Sequence, residues 1–414
     1  MDKSFSDMLY LFGCGASGKE EQIQGPLNIK EIYCLSLQQG IWPIVYVAIK
    51  PYLEKADINK QDYINLQKRF DGIIAKNVRK TAFTEEIIFK MEEQGIKCCL
   101  LKGTAVADFY KYPETRISGD TDIFIKKENE KKAVLLLQEC GYTVFSRTKN
   151  LHCFEAEHPI GGKLEVHVVL NPKDIDDIFF NKKVSYTEDF IIMENEISTL
   201  GVNDGLLYLT AHFIKHFVKA GAGVRQIMDL LLYMKHYQEK IDWDSYNKLM
   251  EELNYKKLIN LLMAIGVKYW DMEFEGIIGD EPLIDDLLND IKAGGIFGGR
   301  EEGRHKVYIE ISKQKSKLTE EQFSKYRRKH MGITLCEKFI PSKDRMEKRY
   351  NFVKKHGILL PVAHIMRWAS LIAKIITRKK SIKEYFSEEE NSKFSPALET
   401  RMKLIENLGI IGHQ

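Results

Sequence analysis

The 414-residue chain has no strong charge of either sign: 62 Lys and Arg against 59 Asp and Glu leave a formal charge of +3. That excludes the global basic field of a dedicated nucleic-acid binder and leaves only local basic patches. Cysteine is sparse, seven in all, with no C-x-x-C pair and no zinc-type spacing. Cys14, Cys34, Cys98, Cys99, Cys140, Cys153 and Cys336 therefore read as reduced thiols, as expected of a cytoplasmic protein. The N-terminal MDKSFSDMLYLFGCG lacks an apolar core of signal-peptide length, so secretion is not expected. The best membrane candidate, GILLPVAHIMRWASLIAKIIT at 357–377, carries His364, Arg367 and Lys374 and contains Pro361. Charges near the middle of a lone span are expensive, so this stretch is expected to form an amphipathic helix in a soluble protein. There is no internal repeat and no low-complexity tract.

What remains is an ordinary globular composition, 44% apolar and 29% charged, at a length that suits two or three domains. Residues 1–95 read as an N-terminal helical region. Within it Tyr63, Leu66, Phe70, Ile73, Ile74 and Val78 recur at three and four. Ile87, Ile88 and Met91 resume the pattern after an Ala-Phe-Thr interruption, which gives one long helix or two stacked ones. The texture changes at 96–172, an α+β unit. Its expected order is strand CCLLKG, helix 104–112 capped by Thr104, strand DTDIFIK, helix 127–141 closed by Gly141, and three further strands. Pro159, Gly161 and Gly162 mark a hairpin turn between the last two. Residues 173–292 become helical again, and 293–414 read as a basic helical extension beginning in the glycine-rich AGGIFGGREEG.

The chemistry concentrates in SGDTDIFI, 118–125. Residues i and i+2 of a strand point the same way, so Asp120 and Asp122 share a face. Two such charges about 6 Å apart repel by roughly 3 kcal/mol at an effective dielectric near 20. A divalent cation between them removes that cost, and hard oxygen ligands suit Mg²⁺ or Mn²⁺. A D-x-D at a strand start is also a common solvated turn, so the pair needs support from elsewhere. Glu165 supplies some. In KLEVHVV, Leu164, Val166 and Val168 face one way, and Glu165 and His167 the other. A third carboxylate on a neighbouring strand would complete a two-metal clamp for phosphoryl chemistry. Upstream, Lys102, Gly103 and Thr104 stand at a strand-to-helix turn, where free backbone N–H groups make a phosphate cradle. Arg116 and Gly119 precede the aspartates, one offering charge to a phosphate oxygen and the other room for close approach.

The order strand–KG–helix–R-x-x-G-D-x-D–helix–strands–E-x-H resembles the nucleotidyltransferase superfamily with the DNA-polymerase-β palm. More narrowly it is similar to an uncharacterised nucleotidyltransferase-like family, over roughly 60–290. The H-x-x-x-H at His212 and His216 and the R-x-x-x-D at Arg225 and Asp229 resemble that family's downstream segment. The resemblance implies a palm holding two Mg²⁺ ions on Asp120, Asp122 and Glu165. It also implies an NTP, with ATP the commonest choice, as the nucleotide substrate. An acceptor hydroxyl or amine would attack the α-phosphate and expel pyrophosphate. The wider superfamily closes its triphosphate loop with Gly-Ser; this chain has Gly103-Thr104, further upstream. A catalytically inactive nucleotide-binding or regulatory protein on the same scaffold is the alternative. A small-molecule acceptor is favoured over protein or RNA, and no membrane partner is expected.

Other residues have both a functional and a plain reading. His167 could orient substrate or hydrogen-bond a neighbouring carboxylate. His212 and His216, with Lys215 beside them, share a helix face and could line a nucleotide cleft. Metal binding there lacks a third ligand and the glutamate of H-E-x-x-H. Arg225 and Asp229 read by default as an intrahelical ion pair. The glycine run 294–299 lacks a P-loop lysine and reads as a loop. KYRRKH (325–330) and TRKK (377–380) read as solvated helix faces, the only places left for an acidic surface or nucleic acid to dock.

Overall fold

The computed structural model describes residues 2–23, 25–55, 58–145, 153–170, 190–193, 196–219, 221–277, 281–295, 346, 350, 352–353, 357–377 and 396–411. The expectations for 325–330, for most of the glycine run, for Arg378–Lys380 of TRKK and for the ends of the strands around 146–152 lie outside these residues. The chain divides into two compact units, residues 1–308 with 403–414, and residues 309–402.

In the first unit the alternating segments form strands. β1 (Cys98–Leu101), β2 (Asp120–Ile125), β3 (Thr143–Phe145), β4 (Cys153–His158), β5 (Gly162–His167), β6 (Phe190–Ile192) and β7 (Ser198–Leu200) make one mixed sheet. Their order is β3-β4-β5-β2-β1-β7-β6. β4 and β5 form the expected hairpin, with Gly162 taking φ +74° in the turn. The central strand β2 runs antiparallel to β1 and parallel to β5. That register sets Asp122 opposite Glu165 and Asp120 opposite Lys163.

The two faces of the sheet differ. Ile123, Ile125, Leu100, Leu164, Val166 and Val168 join the larger core, which also takes in Ile87, Ile88 and Met91 from α4 (Lys60–Glu93). Ala133, Leu136 and Leu137 come to the same core from α6 (Glu130–Glu139). The opposite face carries a small cluster of Cys99, Leu101, Phe124, Leu170 and Leu200. Asp122 alternates with Ile123 and so falls on that second face. β6 and β7 have three residues each, too few to show a period; β7 becomes a strand by pairing with β1, and β6 by pairing with β7.

α4 is one continuous helix of 34 residues, started by the Asn59 side chain on Gln61 N and followed by Gly95 at φ +73°. The Ala-Phe-Thr interruption does not break it. Thr84 Oγ1 donates back to Lys80 O at 3.0 Å, and Phe83 stacks on His158 at 4.8 Å. One turn earlier the helix meets polar backbone through Asn77 and Lys80.

The helix expected over 104–112 is reduced to one turn, α5 (Lys102–Ala105), and a 3₁₀ turn at Ala107–Phe109. Tertiary anchors override local propensity. Phe109 stacks on His236 at 4.2 Å, and Tyr110 Oη donates to Asp229 Oδ1 at 2.8 Å.

Helices from both ends of the unit pack together. They are α1 (Lys3–Ser17), α2 (Ile29–Gln38) and α3 (Trp42–Lys55) before the sheet. After it come α7 (Val202–Lys219), α8 (Val224–His236), α9 (Trp243–Glu252), α10 (Lys256–Trp270) and α11 (Glu281–Gly294). Phe12 of α1 meets Trp270 of α10 edge-on at 5.7 Å, and Trp270 Nε1 donates to Leu9 O at 3.0 Å. The fully buried Gln39 joins the two groups, donating to Ile291 O at 3.2 Å and accepting from Val224 N at 3.2 Å.

In the second unit Met346, Val353 and Ala363 make a small core. α12 (Leu360–Thr377) is the helix expected over 357–377, and it presents Val362, Ile365, Met366 and Trp368 to solvent. Among the described residues no helix is long and apolar enough to cross a membrane.

Candidate active site

Three side chains converge on the second face of the sheet. One ligand atom each from Asp122, Glu165 and His167 lies within 4.8 Å of the others. This is the only such group of His, Cys, Asp and Glu among the described residues. Strand period and register produce it: Glu165 and His167 are two apart on β5, and Asp122 is the direct partner of Glu165 on β2. Asp122 is 5% exposed. Its Oδ1 accepts from Lys102 Nζ at 2.7 Å and lies 3.0 Å from His167 Nε2. Burial by itself would raise the Asp122 carboxyl, but Lys102 and His167 outweigh it and hold the group well below the usual carboxylate range. Lys102 is held charged by the same balance: burial lowers it, while Asp122, Glu165 and Asp120 raise it to a net upward shift. Cys153 lies on the adjoining strand with Sγ 3.2 Å from Glu165 Oε1, and burial and then that carboxylate push its thiol up to about 12.

Asp120 stands at the exposed start of β2, outside the group of three. Its charge acts on Lys80, Lys102 and His216 around the site. Gly119, just before it, has open space where a Cβ would stand. The Thr104 side chain lies outside the described residues. Lys102 takes φ +52°, a left-handed conformation that a lysine rarely adopts, and this bend directs its side chain from the end of β1 back to Asp122.

The loop leading into β2 is fixed from behind by α4, through residues that the apolar pattern passes over. Asn77 Nδ2 donates to Glu114 O at 2.9 Å and Arg116 O at 3.1 Å. Lys80 Nζ donates to Ser118 Oγ at 2.7 Å, Gly119 O at 3.1 Å and Ser118 O at 3.3 Å. Both side chains are 7% exposed, and burial pulls the Lys80 ammonium down to about 8. Asn77, Lys80, Thr84 and Ile87 recur at three and four, so polar members of a buried stripe were the signal to follow. A cavity of about 330 Å³ lies beside this loop, lined by Asn77, Thr84, Glu85, Asp108 and Arg116 among others. Leu100 also lines it, which places it on the α4 side of the sheet, away from the carboxylates.

Arg116 is wholly engaged with Asp229 of α8. Nε donates to Oδ1 at 3.1 Å and Nη2 to Oδ2 at 2.6 Å, and both residues are 5% exposed. Asp229 thus pairs with the loop before β2 and not with Arg225 along its own helix as expected, and Arg225 Nη1 donates to Ile117 O. The guanidinium of Arg116 lies over Gly103: a Cβ there would stand 2.6 Å from Arg116 Cζ. Gly103→Ala is expected to push the guanidinium off Asp229 and cost about 1–3 kcal/mol. A urea midpoint unchanged from wild type would contradict this packing.

α7 lies near the site, within reach of the Lys102 charge. It packs on α5. His212 and His216 are in ring contact at 4.4 Å. Burial, then the Lys102 charge, lowers both imidazoles, His212 strongly and His216 to about 4. Lys215 and Lys219 add positive charge alongside. For His216 the unfolded chain binds a proton below pH 6.5 that the folded protein refuses until about 4. Stability from this group is therefore complete above pH 6.5 and is lost as pH falls through that window. Between pH 7 and 4.5, wild type is expected to lose on the order of 1–3 kcal/mol more than His216→Asn. Equal losses in urea titrations of the two proteins would refute the assignment.

The model of a family described as an uncharacterised nucleotidyltransferase matches residues 25–270. No curated protein and no solved structure matches the chain.

Proposed function

The chain belongs to the uncharacterised nucleotidyltransferase family, and from that premise we propose that it transfers a nucleoside monophosphate from an NTP to an acceptor hydroxyl or amine, releasing pyrophosphate. The observation that carries this reading is the convergence of Asp122, Glu165 and His167 on one face of the sheet, beside Lys102. In this reading residues 96–172 are a palm of the polymerase-β kind, flanked by helical regions at 1–95 and 173–292 and extended by 293–414.

Two carboxylates and an imidazole are a donor set that fits a divalent cation, Mg²⁺ or Mn²⁺. Asp122, Glu165 and His167 would hold it, with Asp120 as a further carboxylate at the mouth. Such a cation, when bound, neutralises phosphate oxygens and lowers the barrier to in-line displacement. The chain's own residues do the rest. Lys102 stands next to Asp122, where its ammonium can move to a phosphate oxygen with Gly103 and Thr104 behind it. His212, Lys215 and His216 line the cleft from α7. The acceptor oxygen or nitrogen forms a bond to the α-phosphorus, and the bridging P–O bond breaks toward pyrophosphate. Glu165 takes the acceptor's proton. Arg116 and Lys80 act on the site by holding the loop that carries Gly119 and Asp120.

ATP is the nucleotide to test first, and a small molecule the first acceptor class, since the chain has no global basic field. The described cysteines are free thiols, which suits a cytoplasmic location. Incubation with each α-labelled NTP, alone and with a cell extract, tests the reading. Labelled product and released pyrophosphate are expected, and the product's size class identifies the acceptor. A purified protein that binds neither a divalent cation nor any NTP would overturn it. The neutralisation of Asp122 by Lys102 favours a second reading, a nucleotide-binding protein without turnover. Calorimetric binding of NTP with no labelled product would select it.

A further inference from the structure

His167 lies two residues beyond Glu165 on β5, on the carboxylate face, and is 7% exposed. Its Nε2 stands 3.0 Å from Asp122 Oδ1. Two ligands at about 2.1 Å from one ion and at right angles to each other stand roughly 3.0 Å apart. Nitrogen and oxygen are therefore already spaced as neighbouring ligands of one octahedral ion. We infer that His167 is a metal ligand and that it makes this site prefer Mn²⁺ over Mg²⁺. The inference rests on the proposed transferase reading only in taking a cation to bind at this cluster.

The preference follows from the donor set. Mg²⁺ is hard, dehydrates reluctantly and is held best by oxygen ligands and retained water. An imidazole nitrogen contributes little to it but binds first-row transition ions, of which Mn²⁺ is also at home among carboxylates. Lys102 shares the Asp122 oxygen, and its positive charge opposes both ions alike. It therefore lowers both affinities and leaves their ratio to His167. Strand pairing makes the arrangement rigid: Asp122 faces Glu165 directly, and Phe124, two residues on, faces His167. The imidazole is thus delivered by the same parallel register that brings the carboxylates together.

The test uses the full-length, metal-free protein without nucleotide. Free Mn²⁺ is followed by electron paramagnetic resonance during titration, Mg²⁺ is added as competitor, and bound Mn²⁺ is examined by pulsed methods. Mn²⁺ is expected to bind at least ~10-fold more tightly than Mg²⁺ and to show coupling to a directly bound ¹⁴N. Protein grown with ¹⁵N-histidine should replace that coupling by the ¹⁵N pattern, with no substitution needed. His167→Gln should lose the nitrogen coupling and reduce the preference to within ~3-fold, which separates His167 from His212 and His216. Bound Mn²⁺ without nitrogen coupling, or coupling and preference unchanged in His167→Gln, would overturn the inference. The labelled-NTP assay reads separately: product formed by a protein whose metal has only oxygen ligands leaves the transferase standing and removes His167 from the metal.

Discussion

Asp122→Asn is expected to reduce NTP-dependent pyrophosphate release by roughly 10²–10³-fold, the scale seen when a group stabilising transition-state charge is lost. Three features put the largest effect here. Asp122 is 5% exposed, it faces Glu165 across the β2–β5 register, and its Oδ1 meets both Lys102 and His167. Its carboxyl is held well below the usual range, so it is ionised at every pH where the protein would be assayed. Asparagine keeps the shape and one acceptor oxygen but removes the charge that holds a cation. It also leaves the Lys102 ammonium without its counter-charge, so some loss of stability is expected as well. Combining it with Lys102→Met should relieve that loss without restoring turnover. That double variant separates a chemical role from a folding one. A rate for Asp122→Asn within ~3-fold of wild type, measured in a pyrophosphate-coupled assay, would remove Asp122 from the chemistry.

The largest effect on stability is expected at Asp229→Ala, about 3–5 kcal/mol. Asp229 accepts two hydrogen bonds from Arg116 and one from Tyr110, and all three residues are at most 5% exposed. Truncation leaves a buried guanidinium and a buried phenol without an acceptor. It also exposes Arg116 to Arg225. Burial and then the Arg116 charge already pull Arg225 down to about 10, with Asp229 as the opposing influence. Urea unfolding measures the loss. Replacing both partners, as in Arg116→Met with Asp229→Leu, should recover most of it, because a buried ion pair costs nearly as much to desolvate as it returns. A single-variant loss below about 1 kcal/mol would mean that the clamp is more hydrated than its burial indicates. The same variant should lower turnover, since Arg116 belongs to the loop whose backbone Asn77 and Lys80 hold in place ahead of Asp120.

These two residues differ in how far they could be read in advance. Asp122 was legible because its message is local. The alternation of DTDIFI and of KLEVHVV states which side chains share a face, and the sheet honours both. The α+β class and the hairpin at Gly161–Gly162 were legible for the same reason, and the periodicity from Tyr63 to Met91 showed helix without deciding between one long helix and two stacked ones. Arg116 was not. Its position near the aspartates suggested a phosphate contact, whereas its guanidinium reaches more than a hundred residues along the chain to Asp229. The helix expected over 104–112 gave way because Phe109 and Tyr110 find better partners on α8 than a helix could offer them. Lys80 and Asn77 share a buried stripe with Thr84 and Ile87, but the backbone they hold lies 37 to 39 residues along the chain, beyond the reach of any local pattern.

Sequence by itself determined the local terms: which residues alternate, where turns interrupt them, and which carboxylates must point the same way. Backbone sterics and a period of two or 3.6 set those terms over a few residues. The tertiary structure alone decided the partners. Lys102 meets Asp122, Arg116 meets Asp229, and His167 joins two carboxylates, because strand register and helix docking choose which distant side chains share a buried space. A buried charge must be paired, but only the closed fold shows with what.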